Sequence, residues 1–182
     1  MNYTIMGGFK KSKDPLANCS NLVLDVGMID MLVRLYDLPD SSELYARMQD
    51  REITLRRARA FEKHNVAEFA GTFSAKWRSE VEVAMSRQPI ACFVATADQK
   101  VLGFACYDTT CKGFFGPTGV LEAARSQGIG KALLMRSLEA LREEGYAYAI
   151  IGGVGPREFY EQACGAMEIA GSDPSIYGDL LP

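Results

Sequence analysis

The stretch that most limits what this chain can become runs from Phe114 to Gly152, where an apolar run, a long amphipathic helix and a second apolar run follow in order. Between Gln127 and Glu144, residues Ile129, Leu133, Leu134, Leu138 and Leu141 fall on one helical stripe, and Gly145 supplies a stop. A helix of that length between two strands makes a crossover that can join parallel neighbours. Upstream, Ala91 to Ala97 and Val101 to Tyr107 flank an Asp98-Gln99-Lys100 turn and predict a β-hairpin, whose strands must be antiparallel. The fold class that satisfies both demands is α/β (α+β): a mixed, mostly antiparallel central sheet with helices on both faces.

The remaining elements fit around that frame. Ile53 to Arg57 reads as a strand. Val66, Phe69, Ala70 and Phe73 lie on one face of a helix, Trp77, Val81 and Met85 on a second, and Pro89 closes the pair. Phe114 to Leu121 is a strand deformed by Gly116, Pro117 and Gly119. Ala147 to Gly152 is an apolar strand, Pro156 to Cys164 a short helix and Met167 to Ala170 a last strand. Before these elements come a polar arm of about twenty residues and one or two short strands within Asn21 to Asp37. A helix then covers Ser41 to Gln49, announced by the capping-box spacing of Asp40 and Glu43. The expected division is therefore an N-terminal extension over residues 1–50 and one main domain over residues 51–182.

Charge and composition narrow the function. Lys and Arg number 20 against 23 Asp and Glu, a formal charge of -3, so no global positive field favours nucleic acid. Arg51, Arg56, Arg57 and Arg59 alternate around Ile53 and Leu55 and are expected to form a solvated strand face. Five cysteines without a C-x-x-C pair argue against a disulfide framework and a zinc cluster, and His64 is the sole histidine, so no metal is expected. With no apolar leader and no run of about 18 apolar residues, the chain is expected to be cytoplasmic and to engage no membrane.

The most informative segment is Arg125-Ser126-Gln127-Gly128-Ile129-Gly130-Lys131, between a strand and the long helix. Glycines there let the backbone approach a ligand, while the free amides of the first helical turn and the helix dipole attract an anion, a pyrophosphate above all. The plainer reading is a strand-to-helix turn with only packing significance. Arg125 and Ala132 exclude a Walker loop, and Leu133 excludes a dinucleotide fingerprint.

Val120 to Leu134, VLEAARSQGIGKALL, resembles the acyl-CoA-binding R-x-x-G-x-G motif of the GNAT superfamily of N-acyltransferases. Tyr148 to Ala166, YAIIGGVGPREFYEQACGA, is similar to that family's next strand and helix, and the similarity runs from about Ile53 to Ile169. The resemblance implies a splay between two parallel strands, with acetyl-CoA as co-substrate. Val120 and Leu121 would offer backbone groups to the acyl carbonyl and pantetheine arm. Arg125 and the turn from Gln127 through Gly128, Ile129 and Gly130 to Lys131 would hold the pyrophosphate. Phe159 would lie beside the cofactor, and Tyr160 would protonate the departing thiolate. Three features depart from the family pattern: Glu122 and Ala124 before the arginine, Gly153 where an Asn is usual, and one extra residue between Tyr160 and Gly165.

Direct transfer needs a neutral amine, a stabilised oxyanion and a proton for the thiolate, and no protein nucleophile. Cys106, Cys111 and Cys164 have no evident partner for an acyl-enzyme route. Glu122, Asp108, Glu80 or bulk solvent would take the amine's proton. The acceptor is expected to be a small-molecule or peptide amine, held between Phe73 to Glu82 and Tyr107 to Gly116, and a homodimer is compatible with this reading. The rival class is a non-catalytic acyl-CoA sensor that uses the same cradle.

Overall fold

The computed structural model describes residues 29–181; the expected arm and any strand before residue 29 lie outside them. Seven strands form one sheet in the order β2-β3-β4-β5-β6-β1-β7. They are β1 Met31–Arg34, β2 Thr54–Arg57, β3 Cys92–Ala97, β4 Lys100–Tyr107, β5 Phe114–Val120, β6 Tyr148–Ile151 and β7 Met167–Glu168. Every neighbouring pair is antiparallel except β5 and β6. The helices are α1 Ser42–Asp50, α2 Lys63–Gly71, α3 Ala75–Ala84, α4 Ile129–Glu143 and α5 Arg157–Cys164. The mixed sheet, the hairpin and the crossover helix stand as the sequence pattern predicts.

The two faces of the sheet follow from register. On β4, Phe104 meets Phe69, Phe73 and Trp77 in edge-on and tilted ring contacts at 6.0–6.3 Å, which fixes α2 and α3 on its side. Gly103 alternates to the other face, where an added Cβ would meet Leu133 of α4. Leu133, Leu134, Leu138 and Leu141, the apolar stripe of α4, are fully buried there. Burying each such side chain contributes about 1.5–3 kcal/mol, so α4 is the main weight on that face.

Two features of the sheet were not expected. β1 sits between β6 and β7, pairing Met31 with both Ile151 and Glu168, so a strand from the first fifty residues lies inside the sheet and joins the edge strand β7 to it. Its Met31 and Val33 are fully buried, and α1 lays Leu44 and Met48 toward the start of α4. The helix is present, but its N-cap is Ser41, which makes no side-chain capping bond, and Asp40 accepts from the Ser42 amide at 3.2 Å in place of the expected capping box. The arginine face also differs from the expected solvated one. Arg56 forms a two-pronged pair with Glu62 at 2.6 and 2.8 Å. Arg57 donates to the Ile90 carbonyl at 2.7 Å and the Tyr107 hydroxyl at 2.5 Å, with its guanidinium 4.8 Å from the Phe93 ring centre. An arginine stem buries apolar length while its head finds acceptors, so strand alternation alone misjudges where such a side chain ends.

Candidate active site

The site is organised by a gap in the sheet. β5 and β6 pair only at Phe114 with Ile150 and Phe115 with Ile151. Beyond that point β5 stays with β4 and leaves β6, because Gly116, at φ +126°, and Pro117 bulge the strand between its pairings at Phe115 and Thr118. The amide of Leu121 donates to Leu102 at 2.9 Å and is therefore engaged by β4. Antiparallel alternation then turns the backbone N–H and C=O of Val120 the opposite way, toward the gap. Of the two residues expected to offer backbone groups there, Val120 has its groups free to do so.

At the end of β5 the chain passes through a short 3-10 turn, Glu122–Ala124, into Arg125 and the first residues of α4. Ser126 and Gly128 both take left-handed backbone angles, φ +62° and +85°. Gly128 is the N-cap of α4 and brings no side chain to its first-turn amides. Those amides and the positive end of a 15-residue helix are thus presented outward. The two glycines differ in what surrounds them. A Cβ on Gly128 would meet Leu44 and Met48 of α1 at 3.4–3.5 Å and would be strained by the φ angle. A Cβ on Gly130 would meet only Val120, at 3.7 Å. Arg125 is exposed, Gln127 and Lys131 are partly covered, and Ile129 is buried in the core. Arg51 of the segment before β2 reaches across and donates to the Gln127 carbonyl at 3.1 Å.

On α5, Tyr160 is buried and stacks edge-on against Phe115, ring centres 6.4 Å apart, where β5 and β6 part. Phe159 packs against it at 5.0 Å and is itself exposed. Burial, then the neighbouring Cys164, pushes the Tyr160 hydroxyl up to about 12, so it remains a neutral proton donor at ordinary pH. The Cys164 thiol is likewise raised, to about 11, by burial, with the Ala166 backbone and Lys131 acting the other way. Raised thiols are poor nucleophiles, and burial raises the fully enclosed Cys106 thiol as well.

The carboxylates are separated by environment. Asp108 is fully enclosed, accepting from the Gly113 amide at 2.5 Å and the Tyr146 hydroxyl at 3.0 Å. Arg87 lies 3.0 Å and Lys112 3.4 Å away. Its acceptor capacity holds a turn together. Glu122 is exposed on the 3-10 turn beside Leu121. Glu80, on the inward side of α3 one turn after Trp77, is half-buried and accepts from the Thr110 hydroxyl. Burial raises its pKa, with the Thr110 bond acting the other way.

One group of residues was not anticipated from the sequence. Asp30, buried just before β1, accepts from the Gly153 amide at 3.0 Å and from Ser175, while its own amide donates to Ser172 at 2.8 Å. This fastens the C-terminal segment over the exit of β6. Tyr177 is carried there, its ring 3.2 Å from where a Gly153 Cβ would stand and its hydroxyl directly against Gly152. Two glycines in succession after an apolar strand were the available signal, since neither position has room for a side chain beneath Tyr177. Among the described residues, no group of three or more His, Cys, Asp and Glu could hold a metal, and no helix is long and apolar enough to cross a membrane.

Residues 55–166 match the model of the acetyltransferase (GNAT) family. Solved structures share the fold at low identity. A GCN5-related glucosamine N-acetyltransferase region of a fungal multi-domain GH3 β-N-acetylglucosaminidase superposes with TM-score 0.65 at 16% identity, over 78% of this chain and 20% of that one. A GCN5-related N-acetyltransferase from Sphaerobacter thermophilus gives 0.58 at 18%, over 79% and 49%. One from Kribbella flavida gives 0.56 at 17%, over 78% and 54%. The chain thus spans between a fifth and about half of the length of these neighbours. No curated protein matches it.

Proposed function

Given that the chain belongs to the acetyltransferase (GNAT) family, we propose that it transfers an acetyl group from acetyl-CoA directly to an amine. The observation that carries this reading is the gap between β5 and β6, which turns the Val120 backbone toward an open slot while the bare N-terminus of α4 opens at the same end of β5. In this reading the first-turn amides from Gly128 to Lys131, with Arg125 and Gln127, hold the pyrophosphate. Val120 steadies the acyl arm, the acyl carbonyl lies in the gap, and Phe159 flanks the thiol end.

The amine attacks the thioester carbonyl, forming C–N as C–S breaks. Tyr160 gives its proton to the sulfur and recovers one from the nitrogen, so the acceptor leaves as an amide and CoA as a thiol. Two facts support Tyr160 in this role: its hydroxyl is neutral, and Phe115 holds its ring where β5 and β6 part. Glu122, exposed beside Leu121, is the candidate base at the donor end.

Calorimetric titration with acetyl-CoA, together with free-thiol release over a mixed amine panel, tests the proposal. Binding with turnover of any amine is the expected result. Tight binding without turnover would instead favour a non-catalytic acyl-CoA sensor.

A further inference from the structure

We propose that Arg51, at the end of α1, is a specificity-determining residue for the acyl donor. Its guanidinium holds the pyrophosphate, so that α1, an element outside the residues 55–166 matched by the family, forms part of the donor site. This rests on the acyltransferase reading and extends its donor end.

The first argument is place. Arg51 is the C-cap of α1, its amide closing the helix on the Met48 carbonyl at 3.2 Å. Its side chain leaves the helix there, and Nη1 donates to the Gln127 carbonyl, 76 positions on, at 3.1 Å. Gln127 directly precedes Gly128, the N-cap that brings no side chain to the first amides of α4. Leu44 and Met48 of α1 lie 3.4 and 3.5 Å from where a Gly128 Cβ would stand. α1 thus meets this turn twice, through apolar side chains at Gly128 and through a cation at Gln127.

The second argument is unused charge. Arg34, Arg56, Arg78, Arg87, Arg136 and Arg157 each face a carboxylate. Arg51 has no ion pair among the described residues, and its bond to Gln127 engages only one nitrogen of a guanidinium that carries five N–H donors. The side chain is exposed, so the other donors are open to a ligand. A planar fork with free donors can meet two phosphate oxygens at once, which an ammonium cannot match in geometry.

The third argument is preorganisation. A surface arginine that orders only on binding gives up rotamer freedom at that moment. The bond to Gln127 has already removed part of that freedom, and it keeps the guanidinium beside the first-turn amides. Arg125 and Lys131 flank the same turn, but no side-chain hydrogen bond or ion pair among the described residues anchors either of them. The consequence is donor choice. Amides and a helix dipole attract any anion, whereas an anchored fork favours a thioester carried on a diphosphate over the same thioester on bare pantetheine.

The test is calorimetric titration of the parent, Arg51→Gln and Arg51→Lys with three donors: acetyl-CoA, acetyl-dephospho-CoA, which lacks only the 3′-phosphate, and acetyl-pantetheine, which has no phosphate. Gln removes the charge and keeps an amide donor for the Gln127 carbonyl; Lys keeps the charge and loses the fork. In Arg51→Gln, affinity for both CoA donors should fall by about 10-fold, the scale of one charge-assisted contact. Acetyl-pantetheine affinity should stay within about 2-fold of the parent, and the melting temperature should match it. Added salt should weaken acetyl-CoA less steeply in Arg51→Gln than in the parent, because a screened charge has gone. Arg51→Lys should keep the parental salt dependence and bind less tightly. Parental acetyl-CoA affinity in Arg51→Gln overturns the inference, as does an equal loss for all three donors, which would leave Arg51 a mere support of the turn. A loss confined to acetyl-CoA moves the contact to the 3′-phosphate and overturns the assignment to the pyrophosphate. These titrations need no turnover, so failure of acetyl transfer is read separately; a parent with no affinity for acetyl-CoA removes the acyltransferase reading and this inference with it.

Discussion

The two sides of the gap are built in opposite ways. On the α4 side, one continuous stretch from Gly116 to Lys131 shapes the slot and the helix start, and it works through backbone: a bulged strand, two left-handed residues and a helix start with no side-chain cap. On the α3 side, side chains from distant segments pair across the fold: Thr110 with Glu80, and Ser175 with Asp30, which seats Tyr177 on Gly152 and Gly153. A backbone site is altered mainly by changes of shape, and a side-chain site mainly by changes of chemistry. One fold can thereby hold a constant donor while its acceptor varies.

That contrast can be broken most sharply at Gly130. Its Cβ position is open within the protein, so Gly130→Val should leave the fold intact and weaken acetyl-CoA by more than about 100-fold, because the branch fills the space a ligand's close approach needs. Calorimetric titration reads this directly, and a Gly130→Val protein with parental affinity would remove the cradle. Gly128→Val is the less clean variant, since its φ angle and the contacts from α1 add a cost to the fold.

Next in size is Tyr160→Phe. The ring and its contact with Phe115 remain while the proton is lost, so turnover should drop roughly 10²-fold with little change in acetyl-CoA affinity. If Tyr160 only packs, this variant is silent and Tyr160→Ala alone is destabilising, through the cavity it leaves.

On the other side of the gap, Asp30→Asn keeps the size of the side chain but can no longer accept in full from both Gly153 and Ser175. A cost of about 1–3 kcal/mol in stability is expected, along with a raised KM for the amine and an unchanged affinity for acetyl-CoA. Should donor and acceptor constants shift together, the two sides are not separately built.

Alkaline pH tests the buried phenols. Tyr107, Tyr160 and Tyr177 are each pushed up to about 12, first by burial. An unfolded chain ionises its phenols near about 10. Between about pH 10 and 12 the unfolded state therefore holds fewer protons than the native one, and stability should fall as pH rises through that window. Melting temperatures over the range should decline, with a shallower slope in Tyr160→Phe.

The smallest effect belongs to Lys131→Ala. It removes one partly exposed charge near the cradle and should weaken acetyl-CoA by about 1 kcal/mol or less, far below Gly130→Val in the same titration.

What could be read from the chain beforehand follows the same division. Period and glycine spacing mark α4, the hairpin at Asp98 and the short helix of Tyr160, because each is fixed by neighbours in sequence. The left-handed turn and uncapped helix start from Arg125 to Lys131, the proposed cradle, are legible for the same reason. Arg57, by contrast, looks like any alternating strand residue, and only the fold brings Ile90, Phe93 and Tyr107 around it. Tyr177 sits in a polar tail with no periodicity, and its partners Gly152 and Gly153 could be seen only as a departure from the family pattern. Glu80, Asp108 and Glu122 have equal claim in the sequence, and only the fold separates them by burial and pairing.

The place of β1 in the sheet also bears on synthesis. Asp30 and Ser172, bonded in the finished protein, lie 142 positions apart, and Met31 has no strand to pair with until β6 has been made. A chain emerging from the ribosome therefore carries Met31, Val33 and Leu35 without their sheet partners until β6 follows, while β2 to β5 and α4 already have their own neighbours. Among the described strands, β1 is the one whose sheet partners, β6 and β7, both lie far downstream, so its pairing waits on theirs.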